Sequence, residues 1–213
     1  MGRNSGENSA LAGECFIYFG DELFAKEDKK MAKKIFIKAF NIIKFCSNIN
    51  DKVIYVAAVI ACIFFEKNQS KQCEKWLSYF FNSNIDLNLE PKTKIYLAST
   101  LLDMGIKFAE ENCLNKAEKY LLKVNEFYKN KTDETKLIHY PALNALGLIY
   151  EKKNDFRKAE EYILKAFNMA KNSQAEPEEI AAMAGNLVRI YGLLHDNKRE
   201  ADYYEIHCRY SKI

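Results

Sequence analysis

The residues able to do chemistry are six cysteines, three histidines and two pairs of adjacent carboxylates, in a chain of 213 residues. The cysteines are Cys15, Cys46, Cys62, Cys73, Cys113 and Cys208. None of them forms a CxxC motif and most lie among apolar neighbours, so the pattern indicates reduced, buried thiols. A nucleophilic cysteine needs a histidine base beside it, and the sequence shows no sign of such an arrangement.

The histidines and the paired carboxylates do not suggest a metal site. The histidines are His139, His195 and His207, and the carboxylate pairs are Glu110-Glu111 and Glu178-Glu179. His207 and its neighbour Cys208 would point about 100° apart on a helix, so they cannot easily share one metal. Both carboxylate pairs lie near helix ends in charged surroundings, which favours a solvated surface. With no P-loop, GxGxxG, GxSxG or HExxH motif, we predict no catalytic residue, no metal and no cofactor, and a protein that is not an enzyme.

Charge and hydropathy exclude two classes of partner. The 32 basic and 29 acidic residues give a net charge of only +3, whereas a nucleic-acid binder carries a larger, clustered excess. The Lys-rich run Lys26–Lys38 also contains Glu27 and Asp28 and is expected on an outer helix, which favours a solvated face over a phosphate-binding patch. The longest uncharged run, Val53–Phe65, is shorter than the roughly 20 residues of a membrane span, and Glu7 and Glu14 interrupt any signal peptide. We expect a cytoplasmic protein with no nucleic-acid or membrane partner.

The elements that position these residues are helices arranged in repeats. Only 8 Gly and 3 Pro are present, too few for the many turns of a β-sandwich or barrel. A small residue recurs every 41 to 44 residues, at Ala32, Cys73, Ala117, Ala159 and Ala201, and the first four are each followed four places later by a large one. Upstream of the first four, another small residue precedes a large one, which predicts two closely packed helices per repeat. The predicted helices are 9–27, 29–46, 51–67, 70–83, 91–111, 114–130, 133–153, 155–172, 177–195 and 197–210. We expect Pro91 and Pro177 in first turns, and caps at Thr132 or Asp133 and at Asn197.

One repeat carries a resemblance to a known family. Residues 142–150, with Asn154–Ala159, Ile163 and Ala166, resemble a tetratricopeptide repeat, and the longer period is similar to that of kinesin light chains and of peptide-sensing regulators of Gram-positive bacteria. The resemblance implies a right-handed α-solenoid of about five helix pairs, with units near 13–46, 54–87, 98–131, 140–173 and 181–210. We expect one solenoid over residues 9–213, preceded by a disordered segment, residues 1–8.

The resemblance also places a ligand groove on the first helix of each unit. Removing the packing residues from these helices leaves candidate peptide-binding positions. The candidates are Tyr55, Ala58, Cys62, Phe65, Leu102, Ile106, Asn144, Leu148 and Arg189. The helix at 53–65 is apolar all round, and three interpretations stay open for it: a fully buried core helix, a hydrophobic groove, or a self-association surface that would make a homodimer.

These observations favour a protein–protein interaction adaptor that binds a peptide or helix segment in an apolar concave groove. One alternative is a peptide-sensing regulatory module, which would make this chain a fragment of a larger regulator. Another is a regulator with phosphatase-like activity. A carboxylate-clamp co-chaperone is disfavoured, because the positions that would supply its cations hold none. Those positions are Ile17, Asp21, Val59, Ser99 and Asp103.

Overall fold

A computed structural model of the chain describes residues 3–46, 50–81, 89–128, 136–173 and 175–211. Within these ranges the chain forms ten α-helices and no strand, which confirms the predicted all-α fold. The helices are α1 (Arg3–Ala25), α2 (Lys29–Ile43), α3 (Asn50–Glu66), α4 (Ser70–Phe81), α5 (Pro91–Glu110), α6 (Leu114–Tyr128), α7 (Lys136–Lys152), α8 (Phe156–Asn172), α9 (Pro177–Leu193) and α10 (Asn197–Tyr210).

The helix boundaries follow the sequence signals, with one difference at the start. Pro91 and Pro177 open α5 and α9 as predicted, since the fixed φ of proline suits a first turn. Helix α1 begins at Arg3, so residues 3–8, expected to be disordered, lie in the helix. Thr132 and Asp133, the predicted caps of α7, lie outside the described residues.

The connection inside each helix pair repeats along the chain. It contains a residue with φ between 55° and 61°, at Glu27, Asn68, Asn112, Asn154 and His195. These residues are 41, 44, 42 and 41 positions apart, which confirms the repeat period. In three connections the next residue is an aspartate whose carboxylate accepts a hydrogen bond from the backbone N–H three residues on, at Asp28, Asp155 and Asp196. Such short, capped links reverse the chain and make each pair antiparallel.

Close packing within three of the pairs depends on a glycine in the first helix. A Cβ at Gly20 would lie 2.8 Å from the Phe36 ring, and a Cβ at Gly105 would lie 2.6 Å from Leu121. At Gly147 it would lie only 2.3 Å from Ile163. The large side chains predicted to insert between the helices therefore occupy the space that these glycines leave open.

The last pair departs from the predicted register. Ala201 was assigned to the small, buried position, but it is exposed. The connections that precede α8 and α10, at Asn154 and His195, are 41 residues apart. The residue of α10 that corresponds to Ala159 of α8 is therefore Glu200, 41 positions later. Glu200 packs over Gly192, and its Oε1 lies 3.3 Å from where a Cβ on Gly192 would be. The same one-residue difference makes Asp196 the cap of α10 instead of the predicted Asn197.

The chain divides into two compact units, residues 1–100 and 101–213, with the border inside α5. Each unit is described by itself, and the single continuous solenoid over residues 9–213 stays a prediction. In unit 1, residues 54–61 and Ile63 of α3 are all less than 10% exposed. Most of them pack in one core with Phe36 and Phe40 of α2, and Trp76 of α4 lies against it. The greater part of the apolar helix is thus buried core, whereas Cys62 and Phe65 near its end are half-buried.

No cysteine forms a disulfide within the described residues, but the prediction that the cysteines are buried is wrong for most of them. Cys73 is buried, whereas Cys15 and Cys113 are exposed and the other three are half-buried. The reason for Cys113 is its place directly after Asn112, in one of the repeated surface connections. Apolar neighbours in sequence did not report which side of the helix Cys15 occupies.

Candidate functional site

A largely apolar pocket of about 370 Å³ lies in unit 2 between α5 and α7. We call it the apolar pocket. Its lining is Ile106, Ala109, Glu110, Pro141, Asn144, Ala145, Leu148, Ile149 and Lys152. Ile106 is 38% exposed, although it is a large aliphatic side chain. The pocket therefore offers apolar surface in a concave place.

Polar side chains follow one edge of the apolar pocket. Asn186 of α9 donates from Nδ2 to Asn144 Oδ1 at 3.1 Å, and Arg189 donates from Nη2 to Asn186 Oδ1 at 3.1 Å. Within the described residues no further hydrogen bond of the Asn144 side chain is found, so its amide N–H groups can donate to a ligand. A backbone carbonyl is the acceptor that such donors suit.

Arg189 is engaged within the protein. Its guanidinium forms a two-pronged pair with Glu151, with donor–acceptor distances of 2.5 and 2.8 Å. This pairing raises the pKa of Arg189 above its ordinary value, chiefly through the hydrogen bonds to Glu151. Both residues line a second pocket of about 430 Å³ that shares Leu148 and Lys152 with the apolar pocket. Arg189, one of the predicted peptide-binding residues, is thus already paired with an acid of the protein, and a ligand carboxylate would compete with Glu151 or bind at Nη1, for which the described residues supply no acceptor.

A different pocket, of about 250 Å³, lies in unit 1. We call it the Tyr55 pocket. It is lined by Glu14, Ile17, Tyr18, Asp21, Asp51, Lys52, Tyr55, Glu90, Lys92 and Thr93. These residues come from α1 and α3 and from the start of α5, so the first helices of the repeats build this pocket as well.

Hydrogen bonds fix the walls of the Tyr55 pocket. The Tyr55 hydroxyl donates to Asp21 Oδ1, and the Lys92 ammonium lies 2.6 Å from Asp21 Oδ2. Lys92 Nζ also lies 4.7 Å from the centroid of the Tyr55 ring. Burial and the bond to Asp21 raise the pKa of Tyr55 far above its ordinary value, so its hydroxyl remains a donor at all physiological pH values.

The predicted binding residues are divided between the units. In unit 1, Tyr55 lines a pocket and Cys62 and Phe65 are half-buried, but Ala58 is only 1% exposed. Ala58 offers no surface to a ligand, because α3 is covered on the side that the pattern assigned to the groove. In unit 2, Ile106, Asn144 and Leu148 line one pocket, Leu148 and Arg189 line the adjoining one, and Leu102 is half-buried.

Several lining residues escaped the sequence prediction. In unit 1 these include Asp51, Lys52, Glu90, Lys92 and Thr93, which lie at or near the first turns of α3 and α5. In unit 2 they include Ala145 and Lys152. The repeat pattern identified groove positions along one stripe of each helix, so residues at helix ends, and residues beside the stripe such as Ala145, carried no signal.

Two structural features are absent from the described residues. No helix there is long and apolar enough to cross a membrane. No group of three or more His, Cys, Asp or Glu side chains in the described ranges is placed to hold a metal ion.

The comparisons with known proteins agree with the fold. A tetratricopeptide repeat family model matches residues 140–173, the repeat that carried the resemblance. No curated protein sequence matched the chain. Among solved structures, BtubC (BKLC) from P. vanneervenii is 14% identical, with 98% of this chain and 89% of that chain covered and a TM-score of 0.64.

Two further structures are similar over most of the chain. The kinesin light chain TPR-like repeats of Podosopora anserina are 9% identical, covering 93% of this chain and 94% of that chain at a TM-score of 0.59. YrrB, described as a TPR protein with an unusual peptide-binding site, is 11% identical, covering 92% and 84% at a TM-score of 0.62. The chain therefore has the fold of tetratricopeptide-repeat proteins, as the resemblance implied.

Proposed function

We propose that this protein is an interaction adaptor that binds an extended or helical peptide segment of a protein partner, with the apolar pocket of unit 2 as the anchor site. The observation that supports it is the pocket itself: Ile106 and Leu148 are partly exposed in a concavity. Asn144 stands beside them with amide donors that suit a peptide backbone. YrrB, of the same fold, is described as having a peptide-binding site.

The expected affinity follows from the size of the pocket. Fully burying a large apolar side chain contributes roughly 1.5–3 kcal/mol, and ordering the ligand opposes part of this gain. Two or three such anchors, with backbone hydrogen bonds, are consistent with a dissociation constant near 1 μM, about −8 kcal/mol. Since the contacts are mainly apolar, affinity at this pocket should depend only weakly on salt.

The proposal includes a non-catalytic role and a cytoplasmic location. The protein would act by bringing its partner to another molecule, and the partner would be a protein and neither nucleic acid nor membrane. Cell fractionation tests the location, and phosphatase assays on phosphorylated proteins from the same cell test the non-catalytic role.

Selection from a random peptide library displayed on phage tests the proposal. Wild-type protein should enrich peptides with an aliphatic or aromatic side chain, and Ile106→Asp and Leu148→Asp should each abolish that enrichment while the protein stays folded. Leu137→Asp is the matched control, because Leu137 lies on α7 and is 70% exposed but does not line the apolar pocket. Failure to enrich any apolar peptide, or equal enrichment by Ile106→Asp, would refute the proposal.

The same peptides separate the alternative function. In a peptide-sensing module, the ligand changes the curvature of the repeat array, so small-angle scattering should show altered dimensions on peptide binding. An adaptor with a preformed pocket should bind without such a change. Phe65→Asp adds a test of unit 1, where loss of binding with an intact fold would extend the anchor surface to α3.

A further inference from the structure

The Tyr55 pocket contains more negative than positive charge. Of its four carboxylates, Glu14 pairs with Lys52 and Asp21 pairs with Lys92. Asp51 accepts hydrogen bonds from Thr93 and from the Glu90 backbone, at 3.2 and 3.4 Å, but forms no ion pair within the described ranges. The Glu90 carboxylate likewise has no cationic partner in the described part of the chain. Two carboxylates at a pocket of about 250 Å³ therefore have no ion-pair partner within the described ranges.

The pocket already holds an ammonium group, which belongs to the chain itself. Lys92 Nζ lies between the Asp21 carboxylate, at 2.6 Å, and the face of the Tyr55 ring, at 4.7 Å. A carboxylate combined with an aromatic face is a favourable environment for an organic cation. Tyr55 is 6% exposed and its hydroxyl bonds Asp21, so both groups are fixed before any ligand arrives. The Lys92 side chain is 54% exposed and can leave without unpacking the core.

The shape of the pocket selects among cations. Ile17 and the ring of Tyr18, which is 69% exposed, add apolar surface beside the charges. A bare metal ion gains nothing from such surface, whereas the methylene stem of a lysine or arginine packs on it while the charged end reaches a carboxylate. The volume also suits a long side chain better than a single ion.

We propose that the Tyr55 pocket recognises a lysine or arginine side chain of the peptide partner, and that Lys92 occupies the same site when no ligand is bound. The inference rests on the proposed function, because it assumes that the partner is a peptide, and it adds a basic residue to the ligand. Unlike binding at the apolar pocket, binding here weakens as salt is raised, since the contacts are between exposed charges.

The test uses two short probes that differ only in charge: acetyl-Gly-Lys-Gly-amide and its norleucine counterpart. Titrated into ¹⁵N-labelled protein, the lysine probe should shift the amide signals of Asp51 and Tyr55, and the norleucine probe should not. The double variant Asp51→Asn with Glu90→Gln keeps the shape of both side chains and removes their charges. It should lower the affinity for the lysine probe about five- to tenfold.

Lys92→Gln gives the most specific readout, because removing a competing ammonium should tighten lysine-probe binding several-fold. Lys30→Gln is the control, an exposed lysine of α2 that does not line the pocket. The inference would be overturned if both probes caused equal shifts or if neither caused any. It would also be overturned if Lys92→Gln bound the lysine probe more weakly than wild type. The probes report on unit 1 alone, so these results are independent of the library selection that tests the apolar pocket of unit 2.

Discussion

Replacing Gly147 with alanine should destabilise the protein, although alanine is the better helix former. In a solvated helix this change would stabilise by about 1 kcal/mol. Here the new Cβ would lie 2.3 Å from Ile163 Cγ1 and 3.1 Å from the backbone oxygen of Ala159. Both α7 and α8 would have to separate, and overpacking of this kind costs roughly 1–3 kcal/mol. Because 2.3 Å is far inside van der Waals contact, the cost should lie in the upper half of that range, about 2–3 kcal/mol. After the gain in helix propensity is subtracted, we expect a net loss of about 1–2 kcal/mol in the free energy of unfolding.

Gly192→Ala is the matched change with the opposite expected sign. The added Cβ would meet only the Glu200 carboxylate, at 3.3 Å, which is the flexible end of a half-buried side chain. The gain in helix propensity should therefore prevail, and stability should rise by up to about 1 kcal/mol. Urea unfolding followed by circular dichroism measures both variants against wild type.

A double-mutant cycle identifies the cause of the loss at Gly147. Ile163→Ala alone removes a buried side chain and should cost roughly 2–5 kcal/mol. Because it also removes Cγ1, the cost of Gly147→Ala should largely disappear in the double variant. If Gly147→Ala is as stable as wild type, or if its cost is the same in both backgrounds, the close approach of α7 and α8 is not what the glycine provides.

Three further predictions test packing, titration and exposure. Ala159→Glu places a charge at a fully buried position and should lower the free energy of unfolding, measured by thermal unfolding, by several kcal/mol. Ala201→Glu, at an exposed position, should change it by less than about 0.5 kcal/mol. Equal effects of the two substitutions would mean that the register found for α10 is wrong. Burial lowers the pKa of His139 below its ordinary 6.5, so its neutral form is favoured in the folded state and its stabilising contribution is complete above about pH 6.5. The free energy of unfolding should therefore fall as the pH is lowered from about 7 to 5, and His139→Gln should reduce that slope; an unchanged slope would assign it to other groups. Maleimide should label Cys113 rapidly in the native protein and Cys73 only on unfolding, as mass spectrometry of quenched samples can show; rapid labelling of Cys73 would contradict its burial.

The sequence predicted the helices well because packing leaves a periodic trace. Pairs such as Gly147 and Ile163, in which a large side chain fills the space beside a glycine, recur at the repeat period. They therefore reveal both helices of a pair. The register of the last helix pair was harder to predict. The one-residue difference that places Glu200 instead of Ala201 against α9 changes no composition, and only the connection at His195 reveals it.

The candidate site was predicted in part. Asn144 and Leu148 are four residues apart on α7, and Ile106 is the residue of α5 that corresponds to Leu148 in the preceding repeat; all three line the apolar pocket. Ala58 was misassigned because an apolar helix has no polar side from which to infer what covers it. The charges around Tyr55 come from three helices far apart in sequence, and no local pattern reports that Lys92 meets Asp21.

Methyl NMR of the protein with a library-selected peptide tests the central claim most directly. With Ile and Leu methyl groups labelled, the account predicts that the signals of Ile106 and Leu148 shift and show intermolecular contacts to the apolar side chain of the peptide. Leu137, which lies on the same helix as Leu148 and is more exposed to solvent but is outside the pocket, should keep its signal unchanged. Binding with the Ile106 and Leu148 signals unchanged, and contacts found elsewhere, would contradict the assignment of the apolar pocket as the peptide-binding site.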